Sequence, residues 1–267
     1  MELYNLLLIA VIQGITEFLP ISSSGHLILL PHLTGQADQG QVIDVAVHVG
    51  TLGAVILYFR KDAMLALRGL GGVVRGQIDT PGAFLALCLI VATIPVMVLG
   101  LIIKLTGFDG ALRSMAVIGW TMLVFGLLLW WVDIRSPQTR KAPQWTLKHA
   151  AILGLWQAIA LIPGTSRSGI TITGARALGY DRVGAARISM LMSIPTIIAS
   201  GVLLGGEVIL DADLAMARDG AIAAGFAFVS ALVALAVMMR LARSISFTPY
   251  VIYRVVLGAV LLGIAYT

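Results

Sequence analysis

Six stretches of this chain are apolar for about 20 residues each, long enough to cross a hydrocarbon core roughly 30 Å thick. They lie at approximately 42–60, 82–105, 114–133, 183–206, 219–240 and 249–267. A backbone buried in lipid must satisfy its own hydrogen bonds, and runs of this length do so as helices. The balance of the whole chain agrees: 59% of residues are apolar and only 12% charged, with a mean hydropathy of +0.97. These values exclude a soluble domain and define a polytopic, all-α membrane protein. The opening "MELYNLLLIAVIQG" has neither a basic leader nor a small-residue cleavage site and reads as a retained segment. The single cysteine, Cys88, sits in an apolar run and reads as packing; it excludes an internal disulfide and a thiolate metal cluster.

The net charge of +5 sits mostly in short loops, where it orients a chain in a bilayer; no nucleic-acid partner is implied. The connection 60–81 carries Arg60, Lys61, Arg68 and Arg75, that at 133–148 carries Arg135, Arg140, Lys141 and Lys148, and that near 240 carries Arg240 and Arg243. These three are expected in the cytoplasm. The connections "TGFDGALR" and "GGEVILDADLAMARDG" are poor in basic residues and belong outside. Parity then settles the two remaining segments. Residues 145–182 must enter and leave from the cytoplasmic side, and residues 1–41, which contain no Lys or Arg, from the outer side. Both are re-entrant hairpins. They also match each other: "QGITEFLPISSSG" from Gln13 aligns with "QAIALIPGTSRSG" from Gln157. The expectation is a single membrane domain, 1–267, of six transmembrane helices plus two re-entrant helical hairpins. It is arranged as an inverted-topology repeat, about 1–133 and about 145–267, with the substrate site where the broken helices meet.

The chemistry concentrates at those breaks. "EFLPISSSGH" places a carboxylate, a proline, three serines and a histidine in ten residues of an apolar segment. A charge at membrane depth costs roughly 2.5–3.5 kcal/mol or more, so such groups face a protein interior and act there. Pro20 and Pro163 should end the first arm of each hairpin, and the second arms should begin at "SSSGH" and "TSRSG". Ser and Thr cap helices well, and a helix N-terminus attracts anions. Arg167 adds a fork that holds phosphate bidentately and stays charged when buried. Glu17 and His26 can hold a divalent cation, shuttle protons or activate a nucleophile. Phosphoryl chemistry is the expectation.

Taken together, "QGITEFLPISSSGH", "PGTSRSGIT" and "FTPYVIYRVVLG" resemble the signature segments of the undecaprenyl-diphosphate phosphatases of the bacitracin-resistance type, over essentially the whole chain. The resemblance implies a multi-pass enzyme of the bacterial inner membrane that hydrolyses undecaprenyl diphosphate to undecaprenyl phosphate and inorganic phosphate, recycling the lipid carrier for peptidoglycan synthesis. It implies an active site open to the periplasm, a polyprenyl diphosphate substrate, a divalent cation (Mg²⁺ or Ca²⁺) and, in many members, a homodimer. The family's acidic motif falls on Gln13 and Glu17, four residues apart and on one helix face. Gln13 offers only a neutral carbonyl, so Glu17 carries the metal role. The family's serine and histidine positions fall on Ser22, Ser23 and His26, and its "PGxSRS" segment on Pro163, Gly164, Ser166, Arg167 and Ser168; Ser24, Gly25 and Thr165 complete the substrate-binding tips. Glu17, His26, Ser23 and Arg167 are the expected catalytic set. Ser23 with His26 as base, His26 itself, or water activated by His26 delivers the attack.

Plainer readings stand beside these. Ser22 and Ser24 serve naturally as helix caps, Glu17 as a structural partner of Arg167, and His26 as a packing residue. His48, in "DVAVHVGTLG", reads equally as a polar contact near the site and as core, and Asp44 as an N-cap of its helix. Arg176, Arg182 and Arg187 read as cytoplasmic charge anchors, and His149 as interfacial. The competing function is a transporter or flippase of a phosphorylated polyprenyl lipid, with Glu17 as its coupling site, because inverted repeats with broken helices also build transporters.

Overall fold

The computed structural model describes residues 3–35, 40–107, 112, 114–211 and 214–267, without the side chains of 31–34, 204–211 and 214–215. Among these residues the chain forms eleven α-helices and no strand. In order they are α1 Leu3–Phe18, α2 Ser23–Thr34, α3 Gln41–Tyr58, α4 Arg60–Val74, α5 Pro81–Thr106, α6 Met115–Arg135, α7 Leu147–Ala158, α8 Arg167–Ala177, α9 Arg182–Asp211, α10 Leu214–Leu241 and α11 Thr248–Tyr266. Six of them are long and apolar enough to cross a membrane: α3, α5, α6, α9 over Arg182–Leu203, α10 over Met216–Leu241, and α11. They are the six apolar runs of the sequence, matched to within a few residues.

Packing follows the small residues, which let helix backbones approach where lipid offers no hydrophobic drive. Gly14 sets α1 against α10, where a Cβ would lie 2.7 Å from the Ala227 carbonyl oxygen, and Gly154 sets α7 against α5, where a Cβ would lie 2.9 Å from that of Ala92. Helix α3 packs on α9 and α10, α6 on α11, and α8 on α6 and α9. The short pairs α1–α2 and α7–α8 are thereby packed against the spans with their breaks in contact.

Some expectations change. The basic connection at 60–81 is not a loop: α4 is an amphipathic helix bonded closely to α5, with Gly69 so near Gly82 that a Cβ would stand 2.1 Å from its carbonyl carbon. The acidic connection at 205–220 is largely helical, since α9 runs to Asp211 and α10 starts at Leu214; residues 212–213 lie outside the described ones. Much of "TGFDGALR" also falls outside them, at 108–111 and 113. Asp44 is in the first turn of α3, and Gly40 occupies the N-cap.

The larger correction concerns the arginines. Arg176 has no exposed surface, so it cannot be an anchor in the head groups. Its Nε donates to Asp133 Oδ1 at 2.8 Å, and its Nη2 to the carbonyls of Asp133 and Ser136 at 2.9 and 3.0 Å. Arg182 Nε shares the same carboxylate at 3.0 and 3.1 Å, and Arg187 Nε pairs with Asp62 Oδ2 at 3.1 Å. Buried charge is costly unless it is paired and hydrogen-bonded. Here it fastens the α6–α7 connection to the end of α8.

Candidate active site

Two serines in a rarely used backbone conformation build the tips. Ser22 has φ 71° and Ser166 φ 69°, the two described non-glycine residues in the left-handed region. They hold the same place in the alignment from Gln13 and Gln157, and α2 and α8 start on the next residue. A 3₁₀ turn, Ile159–Leu161, leads from α7 toward Pro163. Ser22 Oγ lies 2.9 Å from Ser24 Oγ, and Ser166 Oγ 3.1 Å from Ser168 Oγ. The tips are bonded to each other reciprocally: Gly164 N–H donates to Ser24 Oγ at 3.0 Å, and Ser168 Oγ donates to the Leu19 carbonyl at 2.9 Å. Non-glycine residues held at such φ cost about 1–3 kcal/mol each and persist where the surroundings dictate them. Gly164, at φ 87°, has no room for a side chain, since a Cβ would fall 2.1 Å from Thr121 Oγ1. Gly25 is close-packed as well, since a Cβ there would fall 2.6 Å from the Met122 sulfur.

Ser166 Oγ caps α8 by accepting from Gly169 N–H at 3.1 Å. The amides of Arg167 and Ser168 make no hydrogen bond among the described residues, which leaves them for an anion. Arg254 of α11 fixes this turn from behind: its fully buried guanidinium donates from Nη2 to the carbonyls of Gly164 and Thr165 at 3.1 and 2.9 Å. Thr165 itself is buried, and its hydroxyl has no partner among the described residues.

Glu17 lies at the end of α1, where Arg167 reaches it across the two tips. Arg167 Nη2 donates to Glu17 Oε1 at 2.8 Å. The pair is shielded, with side chains 13% and 9% exposed, and the guanidinium carbon stands 5.9 Å over the Phe18 ring. Gln13 Nε2 donates to Glu17 Oε2 at 2.8 Å and approaches His48 Nε2 at 3.2 Å. His48 Nδ1 is 2.7 Å from the Asp44 carbonyl, so Nδ1 carries the proton and Nε2 accepts. Spacing alone left His48 undecided between site and core; the structure brings it to 3.8 Å from Glu17 Oε2.

His26 stands one turn into α2. Its Nδ1 donates to the Ser22 carbonyl at 2.8 Å, which makes Nε2 the basic atom, and Nε2 accepts from the Tyr253 hydroxyl at 2.7 Å. The two rings stack with centroids 5.5 Å apart. Both imidazole nitrogens are thus engaged away from Ser23, which does not hydrogen-bond to His26 despite the three-residue spacing. Tyr253 and Arg254 had no signal as individual residues beyond their place in "FTPYVIYRVVLG". Tyr253→Phe removes one hydrogen bond to His26 Nε2, worth about 1 kcal/mol. With the Nε2 lone pair no longer tied up in the resting site, kcat for a diphosphate substrate should rise, by at most about fivefold, with little change in KM, as read in steady-state phosphate release; a fall in kcat would mean that Tyr253 acts by holding the ring in place.

For a divalent cation the donors are few. Among the described residues there is no group of three His, Cys, Asp or Glu side chains able to hold one. Glu17 supplies one carboxylate, and Gln13 supplies an amide oxygen, Oε1, that is buried without a hydrogen-bond partner. That set fits Mg²⁺ or Ca²⁺ only when substrate oxygens and water complete the shell.

A buried carboxylate–guanidinium pair at the free N-terminus of a helix, framed by six apolar spans, defines a multi-pass membrane protein equipped to bind an anion and act on it. Comparison with known proteins narrows this. The family model for the bacitracin resistance protein BacA matches residues 6–260. The chain is 71% identical over 267 residues to an undecaprenyl-diphosphatase of Dinoroseobacter shibae and 69% identical to one of Ruegeria pomeroyi, with both chains fully covered each time. A more distant relative of the same name, from Saccharophagus degradans, is 46% identical over 266 residues, covering 100% of this chain and 99% of its own. The chain belongs to the BacA family.

Proposed function

We infer that the protein is a hydrolase that converts undecaprenyl diphosphate to undecaprenyl phosphate and inorganic phosphate, returning the lipid carrier to peptidoglycan synthesis. The observation that carries this is the joining of Glu17 and Arg167 across the two tips, beside the unused amides of α8. A diphosphate entering there meets a guanidinium with its Nε and most of its Nη1 capacity unspent, since Nη1 reaches the Ser189 carbonyl only at 3.5 Å. Arg167 and the α8 amides bind the terminal phosphate and stabilise charge as it moves to the bridging oxygen. His26 Nε2, with its tautomer fixed by Ser22, leaves Tyr253 and attacks the terminal phosphorus. The bond from phosphorus to the bridging oxygen breaks, polyprenyl phosphate departs, and water then releases inorganic phosphate from the imidazole. Glu17 orients Arg167, and Gln13 and His48 orient Glu17. When bound, Mg²⁺ or Ca²⁺ supplies further neutralisation of the diphosphate charge, held by Glu17 and Gln13 Oε1.

The tip arrangement also supports the finer architecture: two re-entrant hairpins in an inverted repeat, about 1–133 and about 145–267. The matching φ values of Ser22 and Ser166, the matching serine pairs, and the exchange of α1–α10 for α7–α5 packing all fit a two-fold relation. The loop charges orient it in the bacterial inner membrane with residues 1–41 on the periplasmic side, where the site opens, and a homodimer is in keeping with the family. Kinship with named diphosphatases weighs against a transporter.

Detergent-purified protein supplied with undecaprenyl diphosphate should release inorganic phosphate. Binding of the lipid without release, where no sidedness exists, would overturn the hydrolase. Gln13→Glu should lower the Mg²⁺ concentration giving half-maximal activity about tenfold, because a second carboxylate replaces a neutral oxygen. An unchanged metal dependence would remove Gln13 from the cation's surroundings.

A further inference from the structure

At the opposite end of the molecule from Ser22 along α7, a cavity of about 380 Å³ opens between the α6–α7 connection, the first turn of α7 and the end of α8. Its wall holds Arg140, Lys148, His149 and Thr139, and no carboxylate. The backbone of Arg140 bonds to Gly179 and Asp181, while its guanidinium donates from Nη1 to the Leu178 carbonyl and, like the Lys148 ammonium, has no ion-pair partner among the described residues. His149 is fixed in the wall by Nδ1, 2.7 Å from the Tyr180 hydroxyl. Asp133 and Asp181 lie outside this wall: Asp133 is paired with Arg176 and Arg182, and Asp181 Oδ1 accepts from Gly184 N–H at 2.6 Å. At the end of α8 the carbonyls of Ala175 and Arg176 are taken by backbone amides, as is that of Gly179 just beyond it. Two unneutralised cations around one concavity make a local positive potential that selects anions.

The level of this cavity indicates which anion. Trp130 and Trp131, 41% and 55% exposed, lie in the last turns of α6 just before the connection that forms the cavity. Exposed tryptophans mark the membrane–water interface, the depth of lipid phosphates. Further along the same face of α7, at three-residue steps from His149, come Ile152 in the cavity wall and Leu155, which is 62% exposed. A basic cup above an exposed apolar track has the polarity of a phospholipid: phosphate first, acyl chain below.

We propose that this cavity is a binding site for the phosphate head group of an anionic phospholipid, separate from the hydrolytic site and contributed by Arg140, Lys148 and Thr139. The proposal does not depend on the diphosphatase reaction. Its test is native mass spectrometry of the full-length protein in detergent, titrated with dioleoyl phosphatidylglycerol, dioleoyl phosphatidylcholine or inorganic phosphate. Wild type should retain phosphatidylglycerol over phosphatidylcholine. Lys148→Gln should weaken that preference about fivefold, and Lys148→Gln with Arg140→Gln further, since each basic group near a membrane surface contributes on that scale. Arg243→Gln, in another basic connection, should leave it unchanged, as should phosphatase activity in lipid-free detergent for Lys148→Gln. Lys148→Gln alone keeps the test valid if loss of Arg140 disturbs the turn at Leu178. Equal retention of both lipids, a preference untouched by Lys148→Gln, or displacement of phosphatidylglycerol by millimolar inorganic phosphate would each overturn the assignment, the last in favour of a site for free phosphate.

Discussion

With lysine in place of Arg167, kcat/KM for a polyprenyl diphosphate should fall by about 10²- to 10³-fold while the protein remains folded, as read by phosphate release beside circular dichroism and gel filtration. Lysine is the informative replacement. It keeps a positive charge facing Glu17, whose side chain is 9% exposed, whereas alanine would strand a buried carboxylate at a cost of about 3–5 kcal/mol and confuse instability with lost catalysis. What lysine lacks is the fork. Arg167 can hold Glu17 through Nη2 and still offer Nε and Nη1 to a phosphate, and an ammonium ion cannot do both in plane. A lysine variant with undiminished kcat/KM would reduce the pair to a structural ion pair and shift phosphate binding onto the α8 amides alone.

His26→Gln should cost more, about 10³- to 10⁴-fold in kcat with KM nearly constant. Glutamine can keep a hydrogen bond toward Ser22 but has no basic lone pair where Nε2 stood. Wild type mixed briefly with substrate labelled in the terminal phosphate, then denatured in alkali, should carry an acid-labile label that His26→Gln lacks. Ser23→Ala should lose less than about tenfold, because Ser23 has no hydrogen bond to the imidazole that would activate it. An acid-stable label that disappears with Ser23→Ala would reverse the two roles; no label in either protein would make water the nucleophile and His26 its base.

The features legible in the sequence were those carried by local composition. Apolar length needs no partner to be read, and six spans followed from it. Pro20 and Pro163 announced the breaks because a Ser-rich cap follows each of them; the proline alone is not enough, since Pro95 and Pro195 lie inside α5 and α9. Glu17 and Arg167 stood out because charge in an apolar segment demands an explanation. What stayed hidden depended on distant partners. Arg176 looked like a surface anchor because Asp133 lies 43 residues upstream, and nothing in the spacing shows that they meet. The His26–Tyr253 bond spans 227 positions. Helical spacing puts Ser23 within reach of His26 as one of three routes of attack, but it does not show that the turn at Ser22 offers its carbonyl to the imidazole Nδ1. The helix α4 was hidden for the opposite reason: its charges, useful for orientation, made an amphipathic helix look like a loop.

The bond between Glu17 and Arg167 also has a consequence in time. The two residues are separated by 150 positions, and at 5–20 residues per second a ribosome takes roughly 8–30 s to make that interval. During it, the first hairpin has left the ribosome with its carboxylate and no guanidinium to meet it. Until Arg167 arrives, Glu17 has Gln13 of its own helix and His48 of α3 within reach, but no guanidinium. The pair that joins the two tips is a product of the last stage of assembly, so a chain stalled before residue 167 holds only half of the site.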